Sequence, residues 1–121
     1  MASRDPKLLL PELYKLYLEF DKKMKEFGID YILTCTTRTQ ADQDSLWDQG
    51  RIKPGPIVTW TRKSKHIEGK AFDIAIIKDG KISWKPKDYL LAGEIGRGLG
   101  LGWGGAWAKS KDYPHFELME K

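Results

Sequence analysis

The tetrapeptide Lys-Asp-Gly-Lys at 78–81 does most to limit the fold. An Asp-Gly pair between extended runs is a strong signal for a tight hairpin-type turn. The run before it, KAFDIAII, has the alternation of a half-buried strand. Phe72, Ile74 and Ile76 fall on one face, and Asp73, Ala75 and Ile77 on the other. A chain that reverses here is committed to antiparallel pairing in at least part of its sheet.

The other segments build around that strand. In PELYKLYLEFDKKMKEF, 11–27, the residues Leu13, Leu16, Phe20, Met24 and Phe27 recur at spacings of three and four, which predicts an amphipathic helix. Pro11 suits its first position and Gly28 its C-terminal cap. IDYILTCTTR, 29–38, is short and β-branched, so it reads as a strand. Tyr31, Leu33 and Cys35 share one face there, and Ile32, Thr34, Thr36 and Arg38 the other. A short second helix follows, with Thr39 as N-cap and Gly50 after its end. Residues 51–66, rich in Pro, Gly, Lys and Arg, read as a long functional loop or lid. PKDYLLAGEIGRGLG, 86–100, predicts a third helix whose end is eroded by glycines. LGWGGAWAKSKDYP reads as a glycine-rich loop, and HFELM as a last short strand. The alternation of helix and strand is compatible with a parallel α/β sheet. The short strands and the hairpin favour an α+β fold instead: a small, mostly antiparallel sheet flanked by about three helices. With 121 residues, a single domain over 1–121 is expected.

Composition narrows the function classes. No stretch approaches the roughly 20 apolar residues needed to span a bilayer. The N-terminal apolar run is only Leu8, Leu9 and Leu10, and Pro11 interrupts it, so no cleavable signal peptide is expected and synthesis in the cytoplasm is. One cysteine excludes an internal disulfide and a Cys-rich zinc knuckle. The net charge of +4 favours polyanions, but the lysines are scattered and no nucleic-acid-binding signature accompanies them. A solvated surface explains that charge, and neither nucleic acid nor membrane is expected as a partner.

The chain has two histidines. His66 precedes Asp73 in SKHIEGKAFDIAI, and Gly69 between them permits a turn or bulge that re-aims one side chain toward the other. His115 begins the last strand, preceded by Pro114, with Phe116 and Leu118 turned to the core. Two imidazoles and a carboxylate, with water as fourth ligand, make a catalytic zinc site. By count alone, two unrelated surface histidines explain the chain as well. Asp112 in DYPH shifts the balance. A carboxylate three residues before His115 can lie beside an attacking water, take its proton and hand it to a leaving amine. A plain turn aspartate before Pro114 is the alternative.

SKHIEGKAFDI resembles the SxHxxGxAxD signature of zinc-dependent cell-wall peptidases, the group that includes the vancomycin-resistance D-Ala-D-Ala peptidases. DYPHFE resembles their second motif, an acidic residue, two positions, then His. RTQADQDSLWDQGRIKPGPIVTWT is similar to the RSxxxQxxLxxQGRxxPGxxVT pattern of the L-alanyl-D-glutamate endopeptidase branch, found in phage endolysins and some bacterial wall hydrolases. The likeness runs from about residue 9 to 118. It implies one zinc ion held by His66, Asp73 and His115, with Asp112 as catalytic acid/base and Arg38 holding substrate and the developing oxyanion. It implies supporting roles for Ser64 beside His66 and for Gln43 in the second helix. TCTTRT departs from the glycine-aromatic pair that usually precedes the arginine.

The resemblance implies a monomeric zinc metallopeptidase acting on peptidoglycan, cutting the stem peptide between L-Ala and D-Glu, with no separate cell-wall-binding domain. A phage-encoded version would need a holin for release to the wall. The nearest rival is a D-Ala-D-Ala carboxypeptidase with the same zinc site. A non-catalytic cell-wall-binding domain is the rival of a different class. Cys35 as a nucleophile is rejected, since a lone Cys on an apolar strand face is packing. Trp103 and Trp107 flank GGA near the expected site, so one of them is expected to line the groove, and Trp103 is given a substrate-binding or supporting role. The remaining tryptophans are assigned to core or rim. Glu68 and Glu117 are read as solvated, with a weaker option that Glu117 supports His115 from the same strand face.

Overall fold

The computed structural model describes residues 4–37, 40–52, 54–56, 69–108 and 111–119, with backbone alone at 40–42. Among these are three α-helices: α1 (Pro11–Glu26), α2 (Gln40–Asp48) and α3 (Leu90–Gly98). The strands are β1 (Asp30–Cys35), β2 (Ala71–Lys78), β3 (Lys81–Ser83), β4 (Leu101–Trp103) and β5 (His115–Leu118). Every pairing among these five described strands is antiparallel. The order is β1-β2-β5-β4, with β3 also on β2, so the fold is the expected α+β class.

The hairpin signal is correct. Asp79 and Gly80 both take positive φ, 51° and 75°, and Lys78 pairs with Lys81. This turn creates β3, a strand too short for its periodicity to be visible in the sequence. β4 is a second such strand and lies inside the segment expected to be a loop.

Pro11 opens α1, where its missing N–H costs nothing. The buried stripe is Leu13, Tyr17, Phe20 and Met24. Tyr17 replaces an expected member, because its ring is buried while its hydroxyl meets that of Tyr31 at 3.0 Å. Leu16 is partly buried against the core, and Phe27, past the helix end, is 59% exposed. Phe20 meets Phe72 and Phe116 at 5.4 and 5.0 Å between ring centres, and the latter two stack at 5.4 Å. Phe72 and Phe116 are cross-strand partners, so this aromatic triangle clamps α1 onto the middle of the sheet.

The third helix is a 3-10 turn, Pro86–Tyr89, leading into α3. Two of its glycines are packing residues. A Cβ on Gly93 would lie 2.4 Å from the Trp103 ring, and one on Gly96 would lie 2.6 Å from the Phe116 ring. Their lack of a side chain lets α3 lie flat on β4 and β5. Trp103 is thus part of the core, 7% exposed. Of its two expected roles, substrate binding or support, this burial leaves it no open groove surface for the first.

A single irregularity matters for the site. Leu33 lies opposite Ile74, but Cys35 lies opposite Asp73, so the register shifts between Leu33 and Cys35. Directly opposed residues share a face. Cys35 therefore leaves the face of Tyr31 and Leu33, where alternation alone puts it, and joins the face of Asp73. It is buried there but outside the main apolar cluster, as are Ala71 and Ala75.

Candidate metal centre

The face of the sheet turned away from α1 carries the polar residues. Asp73 sits near the start of β2, and His115 opens β5 directly opposite it. Nδ1 of His115 lies 3.0 Å from Oδ1 of Asp73. Gly69 takes φ 72° just before β2, and its carbonyl accepts from the N–H of Leu10 at 3.0 Å. The expected turn between His66 and Asp73 is therefore present at Gly69. His66 itself lies outside the described residues, as do Arg38, Thr39, Ser64, Trp60, Glu68 and most of the 51–66 loop.

Asp112 belongs to no strand, yet its backbone is held on both sides. Its N–H donates to the Gly104 carbonyl at 3.1 Å, and its carbonyl accepts from the N–H of His115 at 3.1 Å. The Tyr113 carbonyl accepts from Nε1 of Trp103 at 2.7 Å, and the Pro114 carbonyl accepts from the N–H of Ile74 at 3.0 Å. Trp103 thus supports the site from the core side. Gly104 is pressed against Asp112: a Cβ there would fall 2.1 Å from the Asp112 carbonyl oxygen.

The result is a cluster. Asp73, Asp112 and His115 each offer a ligand atom, and the three atoms lie within 4.8 Å of one another. One imidazole and hard carboxylate oxygens suit zinc and related divalent ions. His115 is 7% exposed, and its other ring nitrogen, Nε2, lies 2.9 Å from Oε1 of Glu117. Glu117 is therefore a partner of His115 and not a solvated residue. Its place in the strand, two residues after His115, is the signal that reveals it.

The aromatic side chain beside the site is Trp107. Its ring centre is 5.2 Å from that of His115, and it is 37% exposed. Of the two tryptophans that flank the glycines, it is the one whose ring meets His115. Gln43, on α2, is fully buried. Among the described residues no helix is long and apolar enough to cross a membrane.

The chain is similar to the peptidoglycan L-alanyl-D-glutamate endopeptidase CwlK of Bacillus subtilis, with 42% identity over 104 residues, covering 76% of this chain and 62% of that protein. It is similar to the L-alanyl-D-glutamate peptidase of Listeria phage A118, with 27% identity over 100 residues, covering 78% of this chain and 32% of that one. The chain thus spans less than two thirds of these relatives. The crystal structure of the Serratia marcescens L-Ala D-Glu endopeptidase ChiX shares the fold, with a TM-score of 0.74 over 98% of this chain and 89% of that one at 23% identity. The pattern of the family described as D-alanyl-D-alanine carboxypeptidase matches residues 58–118, the span that contains His66, Asp73, Asp112 and His115. The chain belongs to that peptidase family.

Proposed function

We propose that the protein is a zinc-dependent peptidoglycan hydrolase that cleaves the stem peptide between L-Ala and D-Glu. The convergence of Asp73, Asp112 and His115 on one point carries this reading. The names of CwlK and the phage peptidase supply the bond.

In this reading His66, Asp73 and His115 hold the zinc. The bound ion supplies Lewis-acid polarisation of the scissile carbonyl and a water of lowered pKa. Asp112 stays unligated. Its carboxylate accepts a proton from the attacking water and delivers it to the amine of D-Glu as the C–N bond breaks. Arg38 stabilises the developing oxyanion by charge. Trp107 packs against the substrate beside His115, and Gln43 and Ser64 shape the surroundings. No covalent enzyme intermediate is required. The cell wall is the place of action.

Removal of D-Ala from the end of the stem is the second reading, because the matched family carries that description. Mass spectrometry of purified peptidoglycan, digested with zinc-loaded protein beside a chelated control, separates the two. Chelator-sensitive fragments cut between L-Ala and D-Glu are expected. Free D-Ala in their place would keep the metal site and overturn the bond assignment. No product from several wall types would overturn the hydrolase reading.

A further inference from the structure

The chain leaving β3 is braced on several sides. Oγ of Ser83 donates to Asp88 at 2.5 Å and accepts from the N–H of Lys85 at 3.3 Å. The Tyr89 hydroxyl donates to the Ser83 carbonyl at 2.6 Å and accepts from the N–H of Ile76 at 3.2 Å. Ile76 and Ser83 are cross-strand partners, so this hydroxyl is inserted in the ladder where β3 parts from β2. Trp84 lies between these anchors. Its ring is parallel to that of buried Tyr89, with centres 6.4 Å apart, yet Trp84 is 61% exposed. A large apolar ring held on a braced turn and open to water is a ready surface for stacking.

The sheet sets this surface beside the site. β1 pairs with β2 from Asp73 to Ile77, so β5 and β3 share the opposite edge of β2. β5 covers Ala71 to Asp73 and β3 covers Ile76 to Lys78. In the gap, the N–H of Ile74 donates to the Pro114 carbonyl at 3.0 Å. The chain leaving β3 at Trp84 and the chain entering β5 through Asp112 and Pro114 therefore meet at one short gap. Asp73 and Ile76, which bound it, are about 10 Å apart along the strand. We infer that Trp84 is the floor of a glycan subsite and stacks on a sugar ring of the strand whose stem peptide is cut. This rests on the proposed reading of the bond. In that substrate the amine of L-Ala is joined to the lactyl group of muramic acid, so a pyranose ring lies one residue from the scissile bond. One face of such a ring is a sheet of C–H groups that packs on an indole. Its hydroxyl and acetamido groups stay in water, within reach of exposed Lys85 and Lys87 on either side of Pro86.

Two measurements test this. The first compares kcat and KM on two soluble substrates, a stem peptide that carries its disaccharide and the same peptide without sugar. In Trp84→Ala, KM for the disaccharide-bearing substrate should rise about 3- to 10-fold, the size of one aromatic contact. KM for the sugar-free peptide, and kcat on both, should stay at the wild-type values. Trp84→Tyr should keep most of the wild-type KM, because a phenol ring also stacks. An equal rise on both substrates, or no rise on either, overturns the inference. The second measurement titrates the free disaccharide of N-acetylglucosamine and N-acetylmuramic acid into ¹⁵N-labelled wild type and follows the indole N–H signals. Trp84→Tyr assigns the Trp84 signal among the five tryptophans. A shift of that signal is expected; a Trp84 signal that stays still at saturating sugar overturns the inference. Thermal unfolding checks that each variant folds. Should the alanine variant not fold, the titration of wild type decides. A wild type that cuts neither substrate refutes the hydrolase reading itself, while the titration still reports separately on the sugar contact.

Discussion

Substituting Gly104 with alanine perturbs the proposed catalytic aspartate without touching it chemically. The glycine is not at positive φ, so alanine is compatible with its backbone. The obstacle is space. The new Cβ would sit 2.1 Å from the Asp112 carbonyl oxygen, 2.9 Å from its carbonyl carbon and 3.0 Å from its Cβ, where ordinary contact begins near 3.4 Å. The neighbour is backbone held by its own hydrogen bonds, so the loop must move by about 1 Å. A displacement of about 1 Å at a reacting group costs on the order of 100-fold in rate. That is roughly 2.7 kcal/mol of barrier. Overpacking should also destabilise the fold by about 1–3 kcal/mol. The assay is kcat on a soluble stem-peptide fragment, followed by mass spectrometry, with zinc content and thermal unfolding measured on the same samples. Turnover should fall about 100-fold while zinc is retained, because Asp73 and His115 are anchored by strand pairing. A folded Gly104→Ala variant with wild-type kcat would refute the placement of Asp112 as acid/base.

Asp112→Asn should keep zinc and lose about 10²–10⁴-fold in kcat, since it removes a proton acceptor; loss of the metal would make Asp112 a ligand. Gly98→Ala, at the end of α3 with open space around its Cβ, should stabilise the protein by about 0.4–1 kcal/mol; a lower melting temperature would contradict this. Asp21 accepts from the Tyr31 hydroxyl at 2.5 Å and from Lys25 at 2.9 Å. Burial works against its charge, but these bonds and the Lys25 charge outweigh it and hold its pKa below the usual value. A lowered folded pKa contributes stability above the unfolded value and loses it as pH falls through the folded one. The advantage of wild type over Asp21→Asn, under about 1 kcal/mol at neutral pH, should therefore shrink as pH falls through the lowered folded pKa and vanish once Asp21 is protonated in the folded protein; a pH-independent difference would refute the coupling.

The sequence alone determined the chemistry available and the elements that carry it. The hairpin at Asp79-Gly80, the α1 stripe and the alternation of β2 were all legible, because turn type and periodicity are local properties of the chain. So were Asp73, Asp112 and His115 as candidates, because a site for an ion needs donor atoms of particular types. Cross-strand register is not local, and only the tertiary structure decided it. The register shift in β1 puts Cys35 opposite Asp73, although a period of two puts it on the other face. Trp103 and Trp107 both border the same glycines, but packing against Gly93 buries one and leaves the other beside His115. Gly93 and Gly96 look like helix breakers and are contact surfaces for two aromatic rings. Glu117 acquires its partner because its strand neighbours are Gly102 and Ala71. In each case the deciding quantity is a distance between segments far apart in the chain, which no local pattern encodes.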